Sequence, residues 1–262
     1  MRELMRRYVY GFVNSHDFDV PSSIMHEQYT LHMGSDTLRG RDDVYLPAVR
    51  HQFAQFPQLE YSIHELIGTD TLTAVRFSEH GRSLRAPEVA ASWIGVAIYR
   101  AEGGRLVECW VEQDHFGRRA QLASGIGDPL PPVAVAPWDA SRPGEPASSE
   151  ASAAETEFRE WAEGLRQWPP AAATLDPGQA SSTQPVLTET EVRVNAIVAE
   201  GPTVAANLTV TGRYAGGLPG FDDRIGAHVR TFVGVFADVE AGEVTSVRGV
   251  SNRVAVQRAL RA

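Results

Sequence analysis

A proline-rich segment divides the chain and constrains its fold more than any other feature. Residues 125–150 contain six prolines among glycine, alanine and serine, a composition that favours an extended tether over a packed element. A length of 262 residues also exceeds what one small domain needs. We therefore predict two domains, residues 1–124 and 151–262, joined by a linker over 125–150. Trp138 interrupts the linker, and we expect it to dock on a neighbouring domain.

The spacing of apolar residues predicts helices first and strands afterwards in the first domain. Three-to-four spacing indicates helices over residues 2–15, 22–29 and 41–55. Alternating spacing then indicates strands over residues 59–67, 71–80, 89–100 and 105–115. Helices followed by an antiparallel meander are typical of an α+β fold.

The second part of the chain repeats this order with fewer helices. The predicted elements are a helix over 153–168, strands over 189–198, 203–214, 228–239 and 243–251, and a closing helix over 253–261. Turn and glycine positions align between the halves, with Gly95 opposite Gly234 and Gly103 opposite Gly242. The sequence thus predicts an α+β protein of two tandem domains that arose by duplication.

Charge, cysteine count and hydropathy exclude several classes of function. A net charge of -9 disfavours binding of nucleic acid, which requires clustered basic residues. The single cysteine, Cys109, requires no oxidising compartment, and together with an amino terminus that lacks a secretion signal it predicts a cytoplasmic protein. No apolar run of about 18 residues predicts a membrane span. Scattered histidines predict no metal site.

A set of motifs occurs in a fixed order over residues 5–122. The motifs are Asn-Ser-His-Asp at 14–17, Leu-Arg-Gly-Arg at 38–41, Phe-Pro at 56–57, and a last strand with Trp110 and Asp114 four apart, followed by Gly117 and Gln121-Leu122. This set resembles the SnoaL-like polyketide cyclases of the nuclear transport factor 2-like (ketosteroid isomerase-like) superfamily. The resemblance implies a cone-shaped domain, in which a curved antiparallel sheet wraps around helices and leaves a mostly apolar pocket.

The same resemblance implies a catalytic acid at Asp114. In SnoaL-like cyclases the acidic residue at the matching position is the general acid/base of an intramolecular aldol closure that uses no metal or organic cofactor. Strand geometry places Trp110, Glu112 and Asp114 on one face. Aromatic walls such as Trp110 and Trp93 would raise the pKa of a buried carboxyl group towards neutrality. An ordinary alternative is that Asp114 is a turn or salt-bridge residue.

Other side chains are candidates for holding the substrate. Arg76 and His80 share one face of the second predicted strand, and His32 follows the second predicted helix, where the resemblance implies a pocket histidine. These three residues are the candidate oxyanion donors, although Arg76 could instead pair with Glu65 or Glu79. The predicted substrate-binding residues are Tyr29, Tyr45, Trp93, Trp110 and Glu112.

The resemblance therefore predicts a cofactor-independent cyclase or isomerase that acts on a polyketide-like or other apolar, aromatic natural-product intermediate. One alternative is an epoxide hydrolase or dehydratase, in which Asp114, Arg76 and Glu112 would hold water. Another is a small-molecule-binding protein without catalysis.

The second domain is predicted to be structural. Arg248 stands opposite Trp110 and Asn252 opposite Asp114, so the aromatic wall and the acid are both replaced. Domains of this superfamily commonly dimerise through their sheets. We therefore expect the second domain to substitute for a second subunit and to form an intrachain pseudo-dimer.

Overall fold

The computed structural model describes residues 1–139, 149–176 and 184–262. Two curved, six-stranded mixed sheets, each with helices against it, form two tandem cones, and the predicted α+β class is confirmed. The strands of the first sheet are β1 (Met25–Met33), β2 (Asp36–Arg39), β3 (Glu60–Gly68), β4 (Leu72–Ser83), β5 (Ala86–Glu102) and β6 (Arg105–Gln113). Those of the second are β7 (Gln167–Trp168), β8 (Ala173–Leu175), β9 (Val186–Glu200), β10 (Thr203–Gly216), β11 (His228–Glu240) and β12 (Glu243–Ser251).

Helices cover the concave face of each sheet. Those of the first cone are α1 (Arg2–Arg6), extended by a π-helix (Arg7–Val13), α2 (Pro21–Ile24), α3 (Leu46–Gln55), preceded by a π-helix (Arg41–Tyr45), and α4 (His115–Ser124). Those of the second cone are α5 (Ser149–Gly164) and α6 (Arg253–Arg261), with a 3-10 turn at Asp222–Arg224. We use first cone for β1–β6 with α1–α4, and second cone for β7–β12 with α5 and α6.

The predicted strands of both meanders are confirmed, but the predicted helix over 22–29 is wrong. That segment is helical only over Pro21–Ile24 and then becomes β1. Strand β1 pairs in parallel with β6 and antiparallel with β2, and these pairings override the local helical spacing. Helix α4 was not predicted; Asp114 caps it by accepting a hydrogen bond from the Gly117 N–H at 2.8 Å.

Both sheets are built on the same plan. Each has a four-stranded antiparallel meander, β3–β6 in the first cone and β9–β12 in the second. Beside the last strand of each meander lies one parallel strand, β1 next to β6 and β8 next to β12. Each meander also carries a bulge in its first strand, at His64 in β3 and at Asn195 in β9. These bulges give a fixed point from which equivalent positions can be counted.

The predicted alignment of Gly95 with Gly234 is wrong by one residue. Val96 pairs with Glu112, and Gly234 pairs with Val250. Glu112 and Val250 each stand two residues before the cap of the following helix. Val96 is therefore the counterpart of Gly234, and a Cβ on Gly234 would lie only 2.8 Å from the Val96 Cβ. This one pair of equivalent positions thus meets between the two sheets.

The cones contact each other through the sheet faces that the helices leave uncovered. A shared apolar cluster consists of Ile67, Ala74, Val96 and Ile98 from the first sheet and Val198, Ala205 and Phe236 from the second. Ion pairs flank this cluster, with Arg248 Nε 2.9 Å from Glu65 and Arg253 Nη2 2.6 Å from Asp114. The contact surface therefore combines apolar packing with partly and fully buried charge.

The segment after α4 runs along the first cone. The Ala134 N–H donates to the Ile63 carbonyl at 2.8 Å, and the Pro132 carbonyl lies 3.0 Å from His64 Nδ1. Trp138 packs on the core of the first cone and donates to the Tyr10 hydroxyl at 3.3 Å, which confirms the expected docking. Residues 140–148 of the predicted linker lie outside the described residues.

Candidate functional site

A cavity of about 270 Å³ lies inside the first cone, between the helices and the concave face of the sheet. Its aromatic lining is Tyr8, Tyr45, Phe53, Phe56, Tyr61, Phe77 and Tyr99. Its polar lining includes Gln52, Gln55, Glu79, Gln113, His115 and Arg118. A mostly apolar cavity with a few converging polar groups is the usual form of a small-molecule site. We call it the cone pocket.

Glu79 provides the carboxyl group of the cone pocket. Alternation along β4 places it on the same face as Phe77, towards the helices, and only 7% of the residue is exposed. Gln52 Nε2 donates to Glu79 Oε2 at 2.7 Å, and Gln113 Nε2 lies 3.5 Å from Oε1. Burial raises the pKa of Glu79 to about 7, although the Arg118 charge and the amide hydrogen bonds oppose the rise. Glu79 is therefore suited to give and take a proton near neutral pH.

The orientation of the Gln113 amide follows from its other neighbours. Trp93 Nε1 and His115 Nε2 both lie 3.0 Å from Gln113 Oε1. An indole N–H can only donate, so this atom is the amide oxygen and the amide nitrogen points to Glu79. Burial lowers the pKa of His115 to about 3, and neighbouring arginines add to the effect. His115 is therefore neutral, carries its proton on Nε2 and helps to hold Gln113.

Arg118 brings a positive charge to the cone pocket from α4. Its guanidinium carbon lies 4.9 Å from the centre of the Trp93 ring and 5.5 Å from that of Phe56. Burial lowers the pKa of Arg118, while the charge of Glu79 opposes the decrease. Within the described part of the chain, the guanidinium forms no hydrogen bond or ion pair. Its donors are thus held over aromatic rings and remain available to a bound molecule.

Tyrosine hydroxyl groups line the same pocket. Tyr61 stands directly across the β3–β4 ladder from Glu79, and its buried hydroxyl has no hydrogen-bond partner among the described residues. The hydroxyls of Tyr8 and Tyr45 lie 2.9 Å apart and share a hydrogen bond. Burial raises the pKa of Tyr61 and Tyr8 well above the ordinary value. These phenols therefore remain protonated and are hydrogen-bond donors.

Asp114 does not line the cone pocket. Its carboxylate lies between the cones, where it caps α4 and accepts a hydrogen bond from Arg253 Nη2 at 2.6 Å. Burial raises its pKa, the charge of Asp176 adds to the rise, and Arg253 opposes it. A catalytic role for Asp114 stays a prediction; its surroundings are those of a buried ion pair.

The candidate oxyanion donors are also outside the cone pocket and not in one place. Arg76 Nη1 pairs with Glu65 at 2.8 Å, so its alternative role as a salt-bridge residue is the one observed. His80 Nε2 lies 3.0 Å from the Ser62 hydroxyl, and burial lowers its pKa. His32 stacks on Trp110 with ring centres 5.4 Å apart. The cone pocket therefore excludes all three.

The predicted substrate-binding residues are divided between the two faces of the first sheet. Tyr45 lines the cone pocket, Tyr29 packs behind it with ring centres 4.9 Å apart, and Trp93 positions Gln113. Trp110 and Glu112 line a different cavity between the cones. Trp93 and Trp110 thus do not form the walls of a single pocket.

Sequence reasoning missed Glu79, Gln113 and Arg118, although one signal was available. In β4 the face that carries Val75 and Phe77 is apolar, and Glu79 is the acid that follows on that face. An acid in an apolar stripe marks the wall of a cavity more directly than an acid in a polar stripe.

Neither a metal site nor a membrane-crossing helix is found in the part of the chain that the structure describes. Its histidine, cysteine and acidic side chains include no group of three or more that could hold a metal ion. None of the described helices combines the length and apolar character needed to cross a membrane.

Comparison with known proteins agrees with the resemblance seen in the sequence. Residues 5–109 match the model of the SnoaL-like domain. No curated protein matches the chain. Among solved structures, the chain is similar to IdmH of Streptomyces antibioticus, a candidate polyketide cyclase, with 21% identity over 46% of this chain and 96% of that one and a TM-score of 0.42.

Two further solved structures are similar at lower identity. A candidate polyketide cyclase from Acidithiobacillus ferrooxidans has 17% identity over 47% of this chain and 94% of that one, with a TM-score of 0.42. An LEH-like epoxide hydrolase of M. tuberculosis has 12% identity over 47% of this chain and 89% of that one, with a TM-score of 0.40.

Proposed function

We propose that the cone pocket, which lies largely in the segment that matches the model of the SnoaL-like domain, catalyses proton transfer on a carbonyl compound. The reaction class is a cofactor-independent cyclisation or isomerisation of a polyketide-like or similar natural-product intermediate. The observation that carries the proposal is the Glu79 carboxyl group, buried in the cone pocket with a pKa of about 7 and bonded to Gln52. We assign the acid/base role to Glu79 in place of Asp114.

The chemistry uses the pocket residues in two steps. The Glu79 carboxylate removes a proton from the carbon beside a carbonyl group, and the electron pair moves to the carbonyl oxygen. The enolate then attacks a second carbonyl group or is protonated at another carbon, and Glu79 returns the proton. A carboxyl group with a pKa near the working pH serves both steps well.

Charge on the enolate oxygen is stabilised by donors already present in the pocket. The Arg118 guanidinium lines the pocket and has no hydrogen-bond or ion-pair partner among the described residues. Fixed donors in a dry cavity stabilise a developing oxyanion better than water does, because they require little reorganisation. The neutral His115 and Gln113 act as positioning residues that hold the carboxyl group in place.

For the second cone we propose a structural role as an intrachain pseudo-dimer partner. Contact through uncovered sheet faces and the meeting of Val96 with its counterpart Gly234 support this role. In an isologous dimer the same surface of each subunit faces its copy. One chain would then supply both halves of the interface.

The experiment is hydrogen exchange in heavy water with 2-tetralone, a small aromatic ketone with exchangeable protons beside its carbonyl group. The wild-type protein should accelerate the loss of those proton signals in the NMR spectrum. Glu79→Gln should slow the catalysed exchange about 100-fold or more, because general-base catalysis contributes on that scale. Asp114→Asn keeps the helix cap and should retain most of the rate.

The alternatives give different outcomes in the same assays. A loss of exchange in Asp114→Asn with no loss in Glu79→Gln would move the acid/base role to Asp114. Absence of exchange in the wild type, together with saturable binding of the ketone, would favour a binding protein. Incorporation of labelled oxygen from water into an opened styrene oxide would favour hydrolysis, with Glu79 and Arg118 acting on water and epoxide.

A further inference from the structure

A second cavity lies between the two cones, with a volume of about 460 Å³. The first cone contributes residues of the β1–β2 hairpin and of β6 to its wall, and the second cone contributes residues of β9, β10 and β11. Neither cone alone forms this cavity. We call it the junction cavity.

Two arginines supply positive charge to the junction cavity. Arg193 lies on β9 opposite Thr209 of β10, and Arg230 lies on β11 opposite Thr211 of the same strand. Two strand spacings across the sheet and two residues along it separate their backbones by about 12 Å, a distance that two long side chains can span from either side. Neither guanidinium forms a hydrogen bond or ion pair within the described ranges of the chain.

Two acidic groups beside the junction cavity, Glu112 and Glu108, are occupied by other partners. Glu112 is 2% exposed and accepts hydrogen bonds from the Gly34 N–H at 2.8 Å and from Asn252 Nδ2 at 3.1 Å. Burial raises the pKa of Glu112 to about 7, which reduces its negative charge at neutral pH. Glu108 accepts hydrogen bonds from His32 and Arg100, both at 2.9 Å.

The remaining wall offers a flat aromatic surface and neutral polar groups. Trp110 stacks with His32, and Phe232 lies on the facing sheet. Asn195 Nδ2 donates to Asn207 Oδ1 at 2.8 Å and lies 3.0 Å from Thr209 Oγ1. Positive charge, aromatic rings and amides around one cavity match a ligand that is both planar and anionic.

We propose that the junction cavity binds a small aromatic carboxylate. Arg193 and Arg230 hold the carboxylate, and Trp110 and Phe232 contact the ring. A chain with a net charge of -9 repels anions over most of its surface, so an anion site formed by two unpaired arginines is a local exception. The site is separate from the cone pocket and does not depend on its function.

The test is a titration of the ¹⁵N-labelled full chain with benzoate, followed by amide chemical shifts. Benzoate should give saturable shifts at Gly34, Ser35 and Phe232, and neutral benzamide should not. Arg193→Gln and Arg230→Gln should each weaken binding about tenfold, because a charge-assisted hydrogen bond is lost. Binding should also weaken as sodium chloride is added.

Arg105→Gln is the matched control, since Arg105 is exposed at the start of β6 and does not line the junction cavity. This variant should bind benzoate as the wild type does. Equal weakening in all three variants would show a general charge effect and overturn the proposal. Benzoate shifts confined to cone-pocket residues such as Gln52, or equal binding of benzamide, would overturn it as well.

Discussion

The two cones share a sheet plan but differ in what occupies the concave side. In the first cone, α1, α3 and their π-helical extensions meet the sheet around the cone pocket. In the second cone, α5 packs against the sheet together with α6, and Phe158 of α5 is fully buried in the core. Similar sheets therefore carry different helices, and among the described residues of the second cone a buried apolar cluster occupies the helix side of the sheet.

The difference extends to the equivalent strand positions. Counted from the bulges at His64 and Asn195, Val210 is the counterpart of Glu79. Glu79 pairs with Tyr61 across the sheet, whereas Val210 pairs with Val192. The two polar side chains of this pair in the first cone, Tyr61 and Glu79, are thus both valines in the second.

This contrast separates function from folding. A carboxyl group kept from water lowers stability when it ionises, so a protein gains nothing for its fold by burying one. The second cone folds with a valine at the same position. The fold thus does not require the acid of the first cone, which supports the role proposed for Glu79 in the pocket.

The largest effect on stability is expected when a glutamate replaces the residue of the second cone that is equivalent to Glu79. Val210→Glu would bury a carboxyl group without the amide partners or cavity that Glu79 has. Its ionisation should lower the free energy of unfolding by about 5 kcal/mol at pH 8, because fully buried glutamates have strongly raised pKa values. Urea denaturation at pH 8 and pH 4 measures the loss, which should shrink at pH 4.

Val210→Gln is the matched control, since it adds similar volume and polarity without a charge. Its loss of stability should not depend on pH. Equal losses for Val210→Glu and Val210→Gln at pH 8 would mean that the second cone admits water, and the contrast between a filled and an open cone would fail.

The next largest effect concerns the charge that joins the cones. Arg253 is fully buried, with Nη2 2.6 Å from Asp114 and Nε 3.4 Å from Asp176. Arg253→Met would leave two buried carboxylates without their cation, and we expect a loss of about 3–5 kcal/mol in chemical denaturation. The added substitutions Asp114→Asn and Asp176→Asn should restore at least half of it.

Arg258→Met, an exposed change on the same helix, controls for loss of positive charge and should cost less than about 0.5 kcal/mol. If Arg253→Met cost no more than this control, the pair with Asp114 would be incidental to the junction. The pairing with Arg253 would then not explain why the cap of α4 is an aspartate, Asp114, while the cap of α6 is an asparagine, Asn252.

The sequence predicted the fold well where the information was local. Alternation of apolar residues marks each strand of both meanders, because one face of every strand is buried. Strand β1 was missed because its parallel partner, β6, lies far along the chain, and no local pattern records that pairing. Helix α4 was missed although Asp114, Gly117 and Gln121 were recognised as a motif.

The site was predicted less well because it depends on which face of the sheet looks inward. Alternation correctly grouped Trp110 with Asp114 and separated them from Gln113. It did not show that the helices cover the Gln113 face, nor that Gln52 and Arg118 converge on Glu79 from separate helices. Such convergence is a property of tertiary packing.

The smallest effect on the free energy of unfolding tests whether Glu79 of the first cone holds its proton more tightly in the folded protein than in the unfolded chain. Glu79 ionises with an ordinary pKa of 4.5 when unfolded and about 7 when folded, so the folded protein holds the extra proton between these values. The contribution of Glu79 to the free energy of unfolding therefore falls as pH rises through this window, and glutamine at this position abolishes the fall. Relative to the wild type, Glu79→Gln should gain up to about 3 kcal/mol between pH 4.5 and pH 7.

Denaturation curves at closely spaced pH values measure this gain, and Glu160→Gln on the exposed side of α5 is the matched control. A difference that stays flat across the window would mean that Glu79 ionises alike in the folded and unfolded chain. A difference that falls would mean that its partners stabilise the anion more than burial opposes it. In either case the folded protein would not raise the pKa of Glu79. The catalytic assignment to Glu79 would then lose its physical basis, and the cones would differ only in their packing.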